Sequence, residues 1–254
     1  SVICGLSIAK HITKILPEEQ LVYIADTQYA PYGDKSPEFI QQRAMDICQH
    51  LIDLGCKIIV VACNSATVNS VAKLRNKFHI PFVGVEPGIK PAIAQTKTGK
   101  VAILATEATL LSTSFRRLVD IHKKDKQVLL QPCPGLADLI EHEDLDSENC
   151  TTMINDYVSP LLKRGVDTIA LGCTHYPFVK NTIRQLSGDK LSIIDTSIAV
   201  AKQVERLLSE SDLLSTQKPD EDILLTHQAS KEKNRKITAL WHSQVDIKQL
   251  NIPS

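Results

Sequence analysis

At 254 residues the chain has room for one large or two small domains with real apolar cores. Its 29 basic and 29 acidic residues cancel and form no basic stripe, so nucleic-acid binding has no electrostatic support, and the longest apolar runs are strand-length, too short for a membrane-spanning helix. Seven cysteines, an odd number with no C-x-x-C among them, do not suggest a disulfide framework. A reducing, cytoplasmic setting without a secretory signal, a metal site or a cofactor is the expectation.

Ser1-Val2-Ile3-Cys4 has strand character and runs directly into Gly5-Leu6-Ser7-Ile8, the start of a helical pattern reaching Ile15. Gln20 to Ala25 is predicted as a strand, followed by the turn-rich loop Asp26 to Gly33. Ser36-Pro37-Glu38 supplies a capping hydroxyl, a first-turn proline and an acid, and Phe39, Ile40, Ala44, Ile47, Leu51 and Leu54 continue at helical spacing until Gly55. Lys57 to Ala62 is a β-branched run ending at Cys63, and Val68, Val71, Ala72 and Leu74 indicate a helix that stops before Ile80-Pro81.

The same alternation continues. Strands are predicted at Phe82 to Val85, Val101 to Leu104, Gln127 to Leu130, Asp167 to Gly172 and Leu191 to Ile194. Helices are predicted at Leu110 to Ile121, around Leu139 to Glu141, at Ser147 to Lys163, Tyr176 to Leu186 and Thr196 to Leu208. After a polar link from Ser209 to Glu221, Ile223 to Leu225 and Val245 to Ile247 are predicted strands around one helix. Short strands apolar on both faces, alternating with helices, indicate a doubly wound, mostly parallel α/β architecture. Ligands in such sheets bind beyond the carboxyl ends of strands.

Two of those ends carry a cysteine in similar surroundings. Val61-Ala62-Cys63-Asn64-Ser65-Ala66 is matched 110 residues later by Leu171-Gly172-Cys173-Thr174-His175-Tyr176-Pro177. For Cys48, Cys56, Cys133 and Cys150 the expectation is simple packing, since cysteine usually behaves as a small buried hydrophobe. Cys63 and Cys173 are instead expected to present a thiol at the mouth of a helix, where free N–H groups favour a thiolate. Two thiols from equivalent positions of a pseudo-repeat suggest opposed faces of one small ligand. One could remove a proton from a carbon while the other delivers one, an inversion by general acid–base catalysis that needs no cofactor. His175 could assist that transfer or bind a carboxylate, and Ser65 and Thr174 could hydrogen-bond one. Phosphate chemistry lacks a glycine-rich motif, and a redox role for the thiols lacks a resolving cysteine at C-x-x-C spacing.

Asp26-Thr27, Pro31-Tyr32-Gly33, Ala62-Cys63-Asn64-Ser65-Ala66, Gly84-Val85, Pro87-Gly88 and Leu171 to Pro177 resemble the successive motifs of the glutamate racemases, along essentially the whole chain and including the Ile223 and Ala239–Trp241 regions. The two-cysteine motif alone would also admit aspartate and other cofactor-independent amino-acid racemases; Pro31-Tyr32-Gly33 favours glutamate. The resemblance implies interconversion of L- and D-glutamate to supply peptidoglycan synthesis. It also implies two α/β domains facing each other across a cleft, the second inserted in the first: residues 1–86 plus 195–254, and 87–194. Cys63 and Cys173 would be the two acid/base residues, with His175 and Glu141 supporting the second. Ser1, Tyr32, Gly33, Asn64, Ser65, Thr174 and His175 would hold the substrate. The family is often dimeric, so a homodimer is a further expectation.

One departure from the family pattern lies at the start. Family members open with a strand and then Asp-Ser-Gly-Val-Gly-Gly before Leu-Ser. Aligned without gaps, Ser1 takes the place of the serine, Val2 and Cys4 replace glycines, and the aspartate falls outside the 254 residues. Aligned with a gap, Ser1 to Ile3 are the strand and the loop is absent; a total of only 10 glycines agrees with its absence or alteration. A shortened N-terminus is the expectation, against a weakened natural racemase or a non-catalytic amino-acid-binding relative. If the residues are missing, orientation of substrate and Cys63 would suffer and binding less so.

Overall fold

The computed structural model describes residues 4–142, 144–217, 219–226, 245–250 and 252. The predicted strand at Ser1 to Ile3, the helix before Val245 and the Ala239–Trp241 segment lie outside them. The chain divides into two compact units: Ser1–Tyr32, Ser36–Val85 and Ser197–Ser254 make up the first, and Gly33–Lys35 with Glu86–Thr196 the second.

In the first unit, β1 (Val22–Ala25), β8 (Asp222–Thr226) and β9 (Val245–Gln249) form a parallel sheet in the order β1-β8-β9, and β2 (Ile59–Val61) pairs in parallel with β3 (Phe82–Gly84). These strands need helices on both sides because they are apolar on both faces. On one side α1 (Leu6–Ile15) and α10 (Ser197–Glu210) bring Ile8, Ile12, Val200 and Val204 against Val83 and Val85. On the other, α2 (Pro37–Asp53) and α3 (Asn64–Lys77) bring Ala44, Cys48, Leu51 and Leu74 against Ile59 and Phe82. The start of α2 follows its sequence signals: the Ser36 hydroxyl accepts from the Phe39 N–H at 3.2 Å, with Pro37 in the first turn.

The second unit is a four-stranded parallel sheet in the order β5-β4-β6-β7, formed by β4 (Lys100–Ala105), β5 (Gln127–Pro132), β6 (Thr168–Gly172) and β7 (Ser192–Ile194). Ala102, Leu104, Ile169 and Leu171 share one core with Leu136 and Ile140 of α7 (Leu136–His142), Ile154 and Val158 of α8 (Glu148–Lys163), and Ile183 of α9 (Lys180–Ser187). Alternate residues of one strand point to opposite faces, so Val101, Ile103 and Ala105, each fully buried, serve the other face.

Three local readings change. The predicted Leu110 to Ile121 helix is two helices, α5 (Glu107–Leu111) and α6 (Thr113–His122). Ser112 adopts an extended conformation between them and caps α6 by accepting from the Phe115 N–H at 3.1 Å. Helix α4 (Ile89–Gln95) was hidden by Pro87, Gly88 and Pro91, although a proline in the first turn removes no helical hydrogen bond. The predicted Tyr176 to Leu186 helix begins as a 3-10 turn, Tyr176–Val179, before α9.

Candidate active site

In the first unit β2 passes into α3 through a single residue. Cys63 is extended (φ −146°, ψ 126°) and caps α3, its carbonyl accepting from the Thr67 N–H at 2.8 Å. Its sulfur therefore meets the unsatisfied amides of the first turn. The Cys4 thiol first, and then the nearby N–H groups of Ala66 and Ser65, outweigh burial and lower the Cys63 pKa to about 7. About half of this thiol is then thiolate at neutral pH, against about 1 % for a group left near 9.

The strand ends beneath it are fixed by Thr67, whose hydroxyl donates to the Val61 carbonyl at 3.1 Å and accepts from the Val85 N–H at 2.9 Å. Gly84 makes room for that clamp: a Cβ there would meet Thr67 Cγ2 at 2.6 Å. Asn64 is buried and its Nδ2 donates to the Val85 carbonyl at 3.1 Å. Its Oδ1 has no protein partner among the described residues. Ser65 is also buried, with its N–H among the groups that favour the Cys63 thiolate.

Tyr32 belongs to the same unit and lies near enough to Cys63 to feel its charge. Its hydroxyl donates to Asp26, and burial together with the Asp26 carboxylate holds the phenol far above its ordinary range. Asp26 in turn is gripped by Arg43, with Nε 3.1 Å from both carboxylate oxygens and Nη2 2.8 Å from Oδ1. The guanidinium stacks on Tyr29 at 4.7 Å. Sequence reasoning missed this pair. The signal was Arg43 on the buried stripe of α2 beside Ile40, Ala44 and Leu51, where a charge needs a buried counterion.

Cys173 in the second unit is built differently. Gly172 ends β6 where a Cβ would meet Ala105 Cβ and the Leu104 carbonyl, each at 2.9 Å, so only glycine lets β6 lie this close to β4 just before the thiol. A turn through Thr174 and His175 follows, and His175, not Cys173, precedes the 3-10 turn. A cysteine at the mouth of a helix is therefore found at Cys63, the residue before α3, and not at Cys173. The Cys173 sulfur instead meets His175 Nδ1 at 3.5 Å, and His175 Nε2 meets Glu141 Oε2 at 3.1 Å. With Nε2–H donated to the carboxylate, Nδ1 is left as the acceptor for a thiol proton. Thr174 and His175 are buried, and Glu141 reaches the imidazole from the last turn of α7.

Gly33 groups with this second unit because its carbonyl accepts from the Ala108 N–H at 3.3 Å and its Cα packs on Thr106. Ser1 lies outside the described residues. Among those residues no group of three or more His, Cys, Asp or Glu side chains is arranged to hold a metal, and no helix is long and apolar enough to cross a membrane.

Residues 5–204 match the Asp/Glu/hydantoin racemase family. The chain belongs to that family. Its chemistry is accordingly that of an amino-acid racemase, an isomerase. A glutamate racemase of Herpetosiphon aurantiacus is 49% identical over 213 residues, 84% of each chain. Among solved structures, a glutamate racemase isoform of Bacillus anthracis superposes with a TM-score of 0.89 at 28% identity, covering 99% of this chain and 95% of that one. Glutamate racemase of Escherichia coli, in complex with L-glutamate and the activator UDP-MurNAc-ala, gives 0.85 at 27% identity over 98% and 95%. The racemase family thus accounts for the parallel α/β architecture of both units.

Proposed function

We propose that this racemase interconverts L- and D-glutamate without a cofactor by a two-cysteine mechanism, and that its D-glutamate serves peptidoglycan synthesis. One observation carries the reading: in each unit a parallel strand leads into a cysteine equipped for proton transfer, Cys63 by amides and a neighbouring thiol, Cys173 by His175. In this mechanism one thiolate removes the α-proton from one face of the substrate and the opposite thiol protonates the carbanion from the other, so either enantiomer is a substrate. His175 relays the proton of Cys173, and Glu141 holds the imidazole in the tautomer that can accept it. Tyr32, Gly33, Asn64, Ser65 and Thr174 bind the carboxylates and the amino group, with the Asn64 Oδ1 accepting from the ammonium.

The glutamate preference is supported by the names of the relatives at 41% to 49% identity. Side-by-side racemisation of glutamate and aspartate in deuterated water tests it: deuterium should enter the α-carbon of glutamate from both enantiomers. Faster exchange of aspartate would overturn the substrate, and no exchange of either would overturn the activity.

A further inference from the structure

Cys4 is a nucleophilic side chain that the proposed mechanism does not use as an acid or base, and the fold brings it to Cys63 from 59 positions away in sequence. The approach is fixed by backbone. Gly5 lies so close to β2 that a Cβ on it would meet Ala62 Cβ at 2.8 Å and the Tyr23 ring at 3.0 Å, and the Gly5 N–H donates to the Tyr23 hydroxyl at 3.0 Å. The Cys4 thiol reaches the Ala62 carbonyl at 3.6 Å and hydrogen-bonds the Cys63 sulfur. Cys4, Cys56 and Cys63 are partly exposed, whereas Cys48, Cys133, Cys150 and Cys173 are buried.

We propose that Cys4 and Cys63 form a site of reversible oxidative modification, in which a hydroperoxide oxidises Cys63 and Cys4 resolves it as an intramolecular disulfide. The chemistry follows from thiolate character and access. The Cys63 thiolate attacks one oxygen of hydrogen peroxide; the S–O bond forms as the O–O bond breaks, and the departing hydroxide takes up a proton to become water. Sulfur loses two electrons and peroxide gains them. The Cys4 sulfur then attacks the sulfenic sulfur of Cys63. The S–S bond forms, the S–O bond breaks, and hydroxide leaves with the Cys4 proton as a second water. A dithiol reverses the sequence by two thiol–disulfide exchanges.

Selectivity is built in. Cys63 is the thiol held near 7, while burial pushes Cys48 and Cys133 up to about 12 and raises the partly exposed Cys56 as well. The absence of a C-x-x-C hid the pair, because its partner arrives through tertiary packing and not through spacing along the chain. That oxidation would also silence turnover rests on the racemase reading; formation of the bond does not.

Treating the reduced full chain with hydrogen peroxide and mapping its peptides without reduction tests the proposal. A linked Cys4–Cys63 peptide should appear, with the loss of two hydrogens and full reversal by dithiothreitol. In C4S the link should vanish and Cys63 should accumulate the two-oxygen sulfinic form, which dithiothreitol does not repair. Wild-type protein that gains oxygen on Cys63 without the link, or links Cys63 to another cysteine, overturns the proposal. So does C4S that recovers as fully as wild type. If the link forms but racemisation persists in the fully linked protein, the thiol pair stands and the assignment of Cys63 as an acid/base residue falls.

Discussion

At the end of β2 the chain enters α3 at once, and Cys63 draws on amides that any helix start supplies, with Cys4 beside it. At the end of β6 the chain turns twice before its first helical residue, and Cys173 draws instead on a relay of side chains, His175 and Glu141. Equivalent positions in two parallel sheets have thus received different proton-handling devices. Backbone amides lower a thiol's pKa but cannot accept its proton; an imidazole can do so. The first half is also braced by a buried ion pair, Arg43 with Asp26, that supports Tyr32, whereas Glu141 in the second half is partly accessible and acts on one imidazole.

The largest effects should show both cysteines to be indispensable despite that difference. C63A and C173A should each lower racemisation in both directions by about 10³-fold or more, in keeping with the usual contribution of a general acid or base. Turnover surviving either change would end the two-cysteine mechanism. Next comes the contrast in supports. Asp26→Ala leaves a buried guanidinium without its bidentate carboxylate, and should cost about 3–5 kcal/mol in urea unfolding; an unchanged midpoint would mean the pair does not brace the first half. Glu141→Gln should leave the urea midpoint nearly unchanged but lower kcat by about 10–100-fold, a part of the general acid–base contribution. A stability loss as large as that of Asp26→Ala would erase the distinction.

The smallest effect is the most specific to Cys63. Its alkylation by iodoacetamide should rise with pH through a midpoint near 7, because the thiolate is the nucleophile and its pKa is lowered. Below that midpoint the thiol is protonated and slow. In C4S the midpoint should move up toward 9, since the largest contribution to the lowering comes from the Cys4 hydrogen bond. An unmoved midpoint would assign the lowering to the helix amides alone.

Much of this was legible in the residues. Strand and helix alternation is a local pattern, so the parallel α/β class followed from it, as did the start of α2 from Ser36-Pro37 and that of α8 from Ser147, whose hydroxyl accepts from the Cys150 N–H at 3.2 Å. Both strand-end cysteines and the family resemblance were equally readable, because a short strand and the residues at its tip are contiguous in sequence. Ser112 misled because a serine inside an apolar periodicity does not announce whether it continues a helix or caps the next one.

Tertiary structure decided what lies between segments. Arg43 meets Asp26 across 17 positions, His175 meets Glu141 across 34, and Cys4 meets the Ala62 carbonyl across 58. No periodicity encodes such pairings, since they depend on which helix lies over which strand and at what register. The sequence by itself determined that two thiols would stand at two strand ends. The fold determined that one of them is tuned by amides and a second thiol, and the other by a histidine and a carboxylate, because only packing sets which groups share the space around a sulfur.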